Sequence, residues 1–170
     1  LVIEEPDVAN SIYEVPLDLA RQDVDVYILE KLQLHVNHLD LKQWKRMVRT
    51  LIAPKRGEVE IAVVGKYISL RDSYKSIYES LTHGAIANNC SVRLRMVESE
   101  KIQDDGPAKW LGGVAGILVP GGFGDRGIEG KIQAIQFARE FEIPFFGICL
   151  GMQCAVIEFA RNVLGLADAN

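Results

Sequence analysis

The sequence predicts an α/β fold: an open, mostly parallel, doubly wound sheet preceded by a helical linker segment. Three observations carry this. From Glu60 onward, short continuous apolar runs alternate with stretches of helical periodicity, the pattern of strands covered on both faces by crossover helices. Residues 1–58 differ, with prolines and helical spacing dominating. Two of the later apolar runs end in glycine-rich turns that lead straight into helices, and ligands of open α/β sheets gather at such carboxyl-end turns.

In the first segment, Pro6, Pro16 and Pro54 punctuate the chain, and helices are predicted over Asp25–Leu34 and Asp40–Ile52. In the second helix Leu41, Trp44, Val48 and Leu51 recur at helical spacing and form one apolar stripe. Asp40 suits its N-cap, and Pro54 stops it. Lys42 to Arg56 holds six basic residues and no acidic one. That run reads as a solvated helix face, or as a contact for a nucleotide or an acidic partner.

In the second segment, Ile61-Ala62-Val63-Val64-Gly65 is a buried strand, and Asp72–Asn88 a helix capped by Asp72 or Ser73. Val92–Val97 alternates and is rich in β-formers, so it is the next strand. Val114–Val119 is a strand stopped by Pro120-Gly121-Gly122. Ile128–Phe141 is helical, Pro144–Ile148 a strand, and Gly151–Leu164 helical again. The order fits a flavodoxin-like sheet truncated at its C-terminus. Leu1 in place of an initiator Met, and an uncapped ending at Gly165–Asn170, read as a fragment cut at both ends.

Composition narrows the function classes. Of 170 residues, 48% are hydrophobic, enough for a packed core, and 25% are charged. The net charge of −4 gives no general attraction to nucleic acid or an anionic membrane. No apolar run reaches the ~18 residues of a membrane span, and the N-terminus has no signal-peptide pattern. Cys90, Cys149 and Cys154 are an odd number without a CxxC pair, and the three His lie far from them. Neither a disulfide framework nor a zinc site is expected, and no metal ligand is assigned; a reducing cytoplasm suits such thiols.

The most informative segment is Pro144-Phe145-Phe146-Gly147-Ile148-Cys149-Leu150-Gly151-Met152-Gln153. A buried strand ends in Gly-x-Cys-x-Gly and a helix starts at once, the nucleophile-elbow pattern with Cys as the nucleophile. The two glycines let the chain turn around a strained central residue. The helix N-terminus places partial positive charge near the sulfur and favours the reactive thiolate. The alternative is a small buried hydrophobe, the stronger reading for Cys154 and Cys90. The second segment is Val119-Pro120-Gly121-Gly122-Phe123-Gly124-Asp125-Arg126-Gly127. It shares the sheet edge with the elbow, so the N–H groups of Gly122 and Leu150 can form an oxyanion hole. It lacks the Gly-Lys-Ser/Thr of a P-loop and the glycine spacing of a dinucleotide fingerprint; a plain tight turn is the remaining alternative.

Gly147-Ile148-Cys149-Leu150-Gly151-Met152-Gln153 resembles the nucleophile motif of class I glutamine amidotransferases. Pro120-Gly121-Gly122-Phe123-Gly124, with Arg126-Gly127 and Glu129-Gly130-Lys131, resembles the corresponding loop of the CTP synthase family. So do Val64-Gly65-Lys66-Tyr67 with Asp72-Ser73-Tyr74-Lys75-Ser76, Ser11-Ile12-Tyr13-Glu14-Val15-Pro16, and Arg161-Asn162-Val163-Leu164-Gly165 with Asp168-Ala169-Asn170. The resemblance implies that residues 1–58 are the end of a synthase domain with an interdomain linker. Residues 59–170 are then the N-terminal part of a glutaminase domain. It implies Cys149 as nucleophile and Gly122, Leu150, Gly151, Met152 and Gln153 as oxyanion-hole and glutamine-binding residues. It places Lys66 and Tyr67 near an ammonia passage. The substrate implied is L-glutamine, with UTP and ATP in the full enzyme. ATP and Mg2+ belong to the absent synthase domain, through which such enzymes form homotetramers, and no cofactor is expected in this fragment. The triad's His and Glu would come from a His-Pro-Glu-like motif beyond residue 170. His35 and His38 lie in the linker, and His83, one turn from Glu79, reads as a surface His rather than a base. Two other functions fit the nucleophile motif: another class I amidotransferase, and a non-enzymatic flavodoxin-like or DJ-1-like module.

Overall fold

A computed structural model describes residues 2–35, 39–66, 68 and 71–170, with Arg71 described by its backbone alone. Tyr67 and His38 therefore lie outside the described residues.

The N-terminal segment is helical. Ser11 Oγ accepts from Tyr13 N–H at 3.3 Å and caps a 3-10 turn, Ile12–Glu14, which runs into α1, Val15–Arg21. The sequence reading predicts no helix here, because Pro16 reads as punctuation; in the first turn its missing N–H costs nothing. Asp23, at φ 54°, turns the chain into α2, Val24–Lys31. Next comes α3, Lys42–Ile52, where Asp40 Oδ1 accepts from Lys42 N–H at 2.9 Å although Leu41 is the capping residue. Val48 is buried. Lys45 and Arg49 of the basic run share a cleft of about 730 Å³ with Asp7, Glu14 and Asp18. Part of that run thus faces acidic side chains of its own chain.

The sheet has β1 (Glu58–Gly65), β2 (Ser91–Glu98), β3 (Gly116–Val119) and β4 (Phe145–Gly147) in the order β2-β1-β3-β4, all parallel. Between β1 and β2 lies α4, Lys75–Ala87, entered through a 3-10 turn at Arg71–Tyr74. Tyr74 rather than Asp72 or Ser73 is its capping residue, because that turn occupies the expected first helical turn. Helices α5 (Ser99–Asp105) and α6 (Pro107–Leu111) precede β3. The sequence pattern predicts neither; each is under two turns, too short to show periodicity. The last helices are α7 (Ile128–Glu140) and α8 (Leu150–Asn162). Helices α5 to α8 pack together over one face of the sheet, and α4 lies apart from them, against β2.

The strand pleat sorts the core. Ala62, Val64, Ile117 and Val119 pack with Val97, Ile102, Leu111, Ile132, Ile135, Phe137 and Cys154 under α5 to α8. Val63 and Leu118 point to the opposite face and are also buried. Between α7 and α8, Glu158 is 2% exposed, and Arg139 donates to it at 2.8 and 3.1 Å. A row on α8 stays open instead: Met152, Val156 and Phe159 are exposed, as are the capping residue Val163 and Phe146 on β4.

Two sets of bonds tie the N-terminal segment to the sheet. Tyr13 Oη donates to Glu79 Oε2 at 2.7 Å and lies 2.6 Å from His83 Nε2, both on α4; Trp44 Nε1 of α3 donates to the Tyr13 carbonyl at 2.8 Å. The Lys55 and Arg56 N–H groups donate to the Asn89 carbonyl at 3.1 and 2.9 Å.

Candidate active site

At the end of β4 the chain must leave the sheet and start a helix within three residues. Ile148 N–H still donates to the Val119 carbonyl at 2.9 Å, continuing the β3–β4 pairing. Cys149 then takes φ 51° and ψ −110°, and α8 begins at Leu150. A non-glycine residue at such angles costs of order 1–3 kcal/mol and persists only where its surroundings enforce it. The enforcement is visible. A Cβ on Gly147 would lie 2.6 Å from the Gly151 carbonyl carbon and 2.7 Å from Met152 N; one on Gly151 would overlap the Val119 carbonyl oxygen. Only glycines let strand and helix approach this closely, so the turn falls on the residue between them.

The Cys149 thiol is exposed, Cys90 is half-buried and Cys154 is buried. Burial pushes the Cys154 thiol above its ordinary pKa, as expected of a packing residue. Gln153 N–H donates to the Cys149 carbonyl at 3.1 Å and Gly151 N–H to Ile148 at 2.9 Å, which closes the first turn behind the thiol. Leu150, as the first residue of α8, has an N–H that the helix does not use. Gly151 is buried, whereas Met152 and Gln153 present exposed side chains on that turn.

The glycine loop after β3 lies against the elbow. A Cβ on Gly121 would sit 3.4 Å from Cys149 Cβ and 3.9 Å from its Sγ. One on Gly122 would meet Leu150 Cδ2 at 3.7 Å and Lys131 Nζ at 3.5 Å. From the carboxyl end of β1, Lys66 Nζ donates to the Phe123 carbonyl at 2.9 Å. The structure therefore gathers Cys149, Gly122, Leu150, Gly151, Met152, Gln153 and Lys66 along one carboxyl edge. Sheet order reverses between β1 and β3, the crevice where open α/β sheets bind ligands.

His83 is elsewhere. Helix α4 runs back from the carboxyl edge, and eight residues at 1.5 Å each put His83 roughly 12 Å below its start, bonded to Tyr13. That bond is what the sequence could not show: the neighbour is 70 residues away. Among the described residues no group of His, Cys, Asp and Glu is placed to hold a metal ion, and no helix is long and apolar enough to cross a membrane.

Sequence reasoning passed over Lys131, whose side chain is fully buried on α7. Desolvation pushes its ammonium below the ordinary lysine pKa. The available signal was position: Lys131, Ala134, Ile135 and Ala138 fall at i, i+3, i+4 and i+7, so the lysine interrupts a buried stripe.

Comparison with known proteins gives three results. Residues 69–169 match the family model described as glutamine amidotransferase class-I. The chain is 57% identical over 161 residues to the CTP synthase of Trichlorobacter lovleyi, covering 95% of this chain and 30% of that protein. It is 54% identical over 169 residues to that of Caldanaerobacter subterraneus subsp. tengcongensis, covering 99% and 31%. The chain thus spans about a third of these relatives' length. Among solved structures, the Trypanosoma brucei CTPS glutaminase domain with bound acivicin superposes at TM-score 0.60 and 46% identity, over 65% of this chain and 43% of that one.

Proposed function

The chain belongs to the class-I glutamine amidotransferase family, and from that premise we propose that it is the part of a CTP synthase that carries the glutamine-hydrolysing nucleophile. The observation that carries this reading is the conformation of Cys149: an exposed thiol held at φ 51° between two close-packed glycines, beside the Gly121–Gly122 loop.

In this reading the Cys149 sulfur attacks the side-chain amide carbon of glutamine. A C–S bond forms and the carbonyl π electrons move to oxygen. The N–H groups of Gly122 and Leu150 receive that oxyanion, while Gly151, Met152 and Gln153 hold the substrate. Collapse of the intermediate expels ammonia after proton transfer to the nitrogen. Water then cleaves the thioester to glutamate and free thiol. His83 is engaged by Tyr13 on α4, so the base that moves these protons comes from outside residues 1–170. Residues 59–170 form the first part of the glutaminase domain, and residues 1–58 the end of the synthase domain with its linker. Lys66 and Tyr67 border the route by which ammonia leaves.

The whole enzyme, a cytoplasmic homotetramer joined through its synthase domains, uses that ammonia to aminate UTP at the expense of ATP. Mg2+ serves the ATP there; among the described residues of this chain no ligand cluster for it is present. The test is ammonia release from glutamine by the full-length protein. Wild type turns over and Cys149→Ala does not; retained turnover in the variant refutes the assignment.

A further inference from the structure

We propose that Lys131 is a positioning residue for the glycine loop beside Cys149: its buried amine orients the Gly121–Gly122 peptide groups so that their N–H donors face the reacting carbonyl. The proposal rests on the glutaminase reading above.

The Lys131 side chain is 0% exposed, and its Nζ has no hydrogen-bond partner among the described residues. The titratable groups that face it are Cys154 and Lys66. One is a buried thiol and the other a second cation, so among the described residues no carboxylate offsets its burial. Taking an ammonium out of water without a partner costs several kcal/mol, and methionine would fill a similar volume without that cost. What the amine does face is the loop. It lies 3.5 Å from where a Cβ on Gly122 would be, and the preceding glycine packs on Cys149.

Glycine peptides rotate with little steric hindrance, so a loop of this composition needs something else to fix its peptide planes. A cation on one side of a peptide group attracts the carbonyl and repels the N–H. With Lys131 on the inner side, the favoured orientation turns N–H groups outward toward Cys149. Lys66 acts on the next residue in the same sense, donating to the Phe123 carbonyl at 2.9 Å. Lys66 thus holds the Phe123 carbonyl by a hydrogen bond, Lys131 biases the adjoining Gly122 peptides by its field alone, and the loop's donors are left free for an oxyanion. Donors fixed in advance stabilise the transition state more than the bound substrate, so their loss lowers kcat rather than raising KM.

The test uses full-length protein with Lys131→Met, Lys131→Gln and Lys131→Arg. For Lys131→Met, glutaminase kcat falls about tenfold, below the 10²–10³ of deleting a donor outright. KM stays within about twofold, and thermal stability is unchanged or higher. Lys131→Arg, which keeps the charge, recovers most of the rate. Amide hydrogen exchange of residues 120–124 quickens in the two neutral variants. Unchanged kcat and unchanged exchange in Lys131→Met overturn the proposal. So does unfolding of both neutral variants, which would make the lysine structural. If wild type fails to hydrolyse glutamine, the glutaminase reading falls, and the exchange measurement still decides what Lys131 does to the loop.

Discussion

Replacing Gly147 with alanine tests the elbow directly. The new Cβ would sit 2.6 Å from the Gly151 carbonyl carbon, and 2.7 Å from both its oxygen and Met152 N. Carbon contacts are comfortable at about 3.5–4.0 Å, so the deficit is roughly 1 Å. All three atoms are backbone of the first turn of α8, and no side chain can rotate away. Strand and helix must separate by about that distance. Overpacking of this kind costs about 1–3 kcal/mol. Weakening the Ile148–Val119 hydrogen bond adds about 1 kcal/mol. At about 2–4 °C per kcal/mol for a chain of this size, Tm falls by roughly 5–15 °C. Displacing the thiol by about 1 Å also costs on the order of 10²-fold in glutaminase rate. Gly84→Ala is the control. It lies inside α4 with nothing within 4 Å of the new methyl group, so it gains helix propensity of up to ~1 kcal/mol. Circular dichroism melts of both variants decide. A Gly147→Ala protein melting within about 2 °C of wild type, with undiminished turnover, refutes the close-packed elbow.

Limited iodoacetamide treatment at neutral pH, read by mass spectrometry, labels exposed Cys149 before half-buried Cys90 and buried Cys154; earlier labelling of either other thiol contradicts the site. Cys149→Gly melts above Cys149→Ala by an amount equivalent to about 1 kcal/mol, because only glycine relieves φ 51°; equal melting temperatures mean the turn carries no strain. The 170-residue chain alone releases no ammonia from glutamine, whereas the full-length protein does; robust turnover by the short chain would assign the base to a residue within it. The Tyr13 phenol, whose bond to Glu79 pushes its pKa up to about 12, stabilises the fold fully below its ordinary value of 10.0. That contribution disappears as pH rises from 10.0 through about 12, and Tyr13→Phe removes this pH dependence in alkaline melts.

The sheet and the elbow were legible because both are written in local composition. Continuous apolar runs such as Ile61–Val64 and Val114–Val119 have no half-exposed alternative, although the second pairs only from Gly116 on, and Gly-x-Cys-x-Gly after a strand leaves few geometries. Helix α1 was missed because a proline in a first turn looks the same in sequence as a proline that breaks a helix. Lys131 and the Tyr13–Glu79–His83 cluster were illegible for another reason. The cluster depends on Tyr13 arriving beside α4 from 66 and 70 residues away, and Lys131 left only an indirect mark, its place in the apolar stripe of α7. The basic run of α3 was half read: its charge was plain, but not that Asp7, Glu14 and Asp18 line the same cleft.

The open row on α8 bears on how the 170-residue chain, taken by itself, is handled at the bench. Met152, Val156 and Phe159 sit on a well-formed helix that Val163 caps, with Phe146 exposed on β4. A solvatochromic dye such as ANS, commonly taken as a reporter of molten states, has a ready platform on the folded 170-residue chain taken by itself. Fluorescence would start high before any heating. In a dye-based melt, unfolding would then register as a small rise or a fall, easily misread as a protein that never folded. Column matrices with phenyl groups would retain the same native form, and mild detergent or arginine in the buffer would release it.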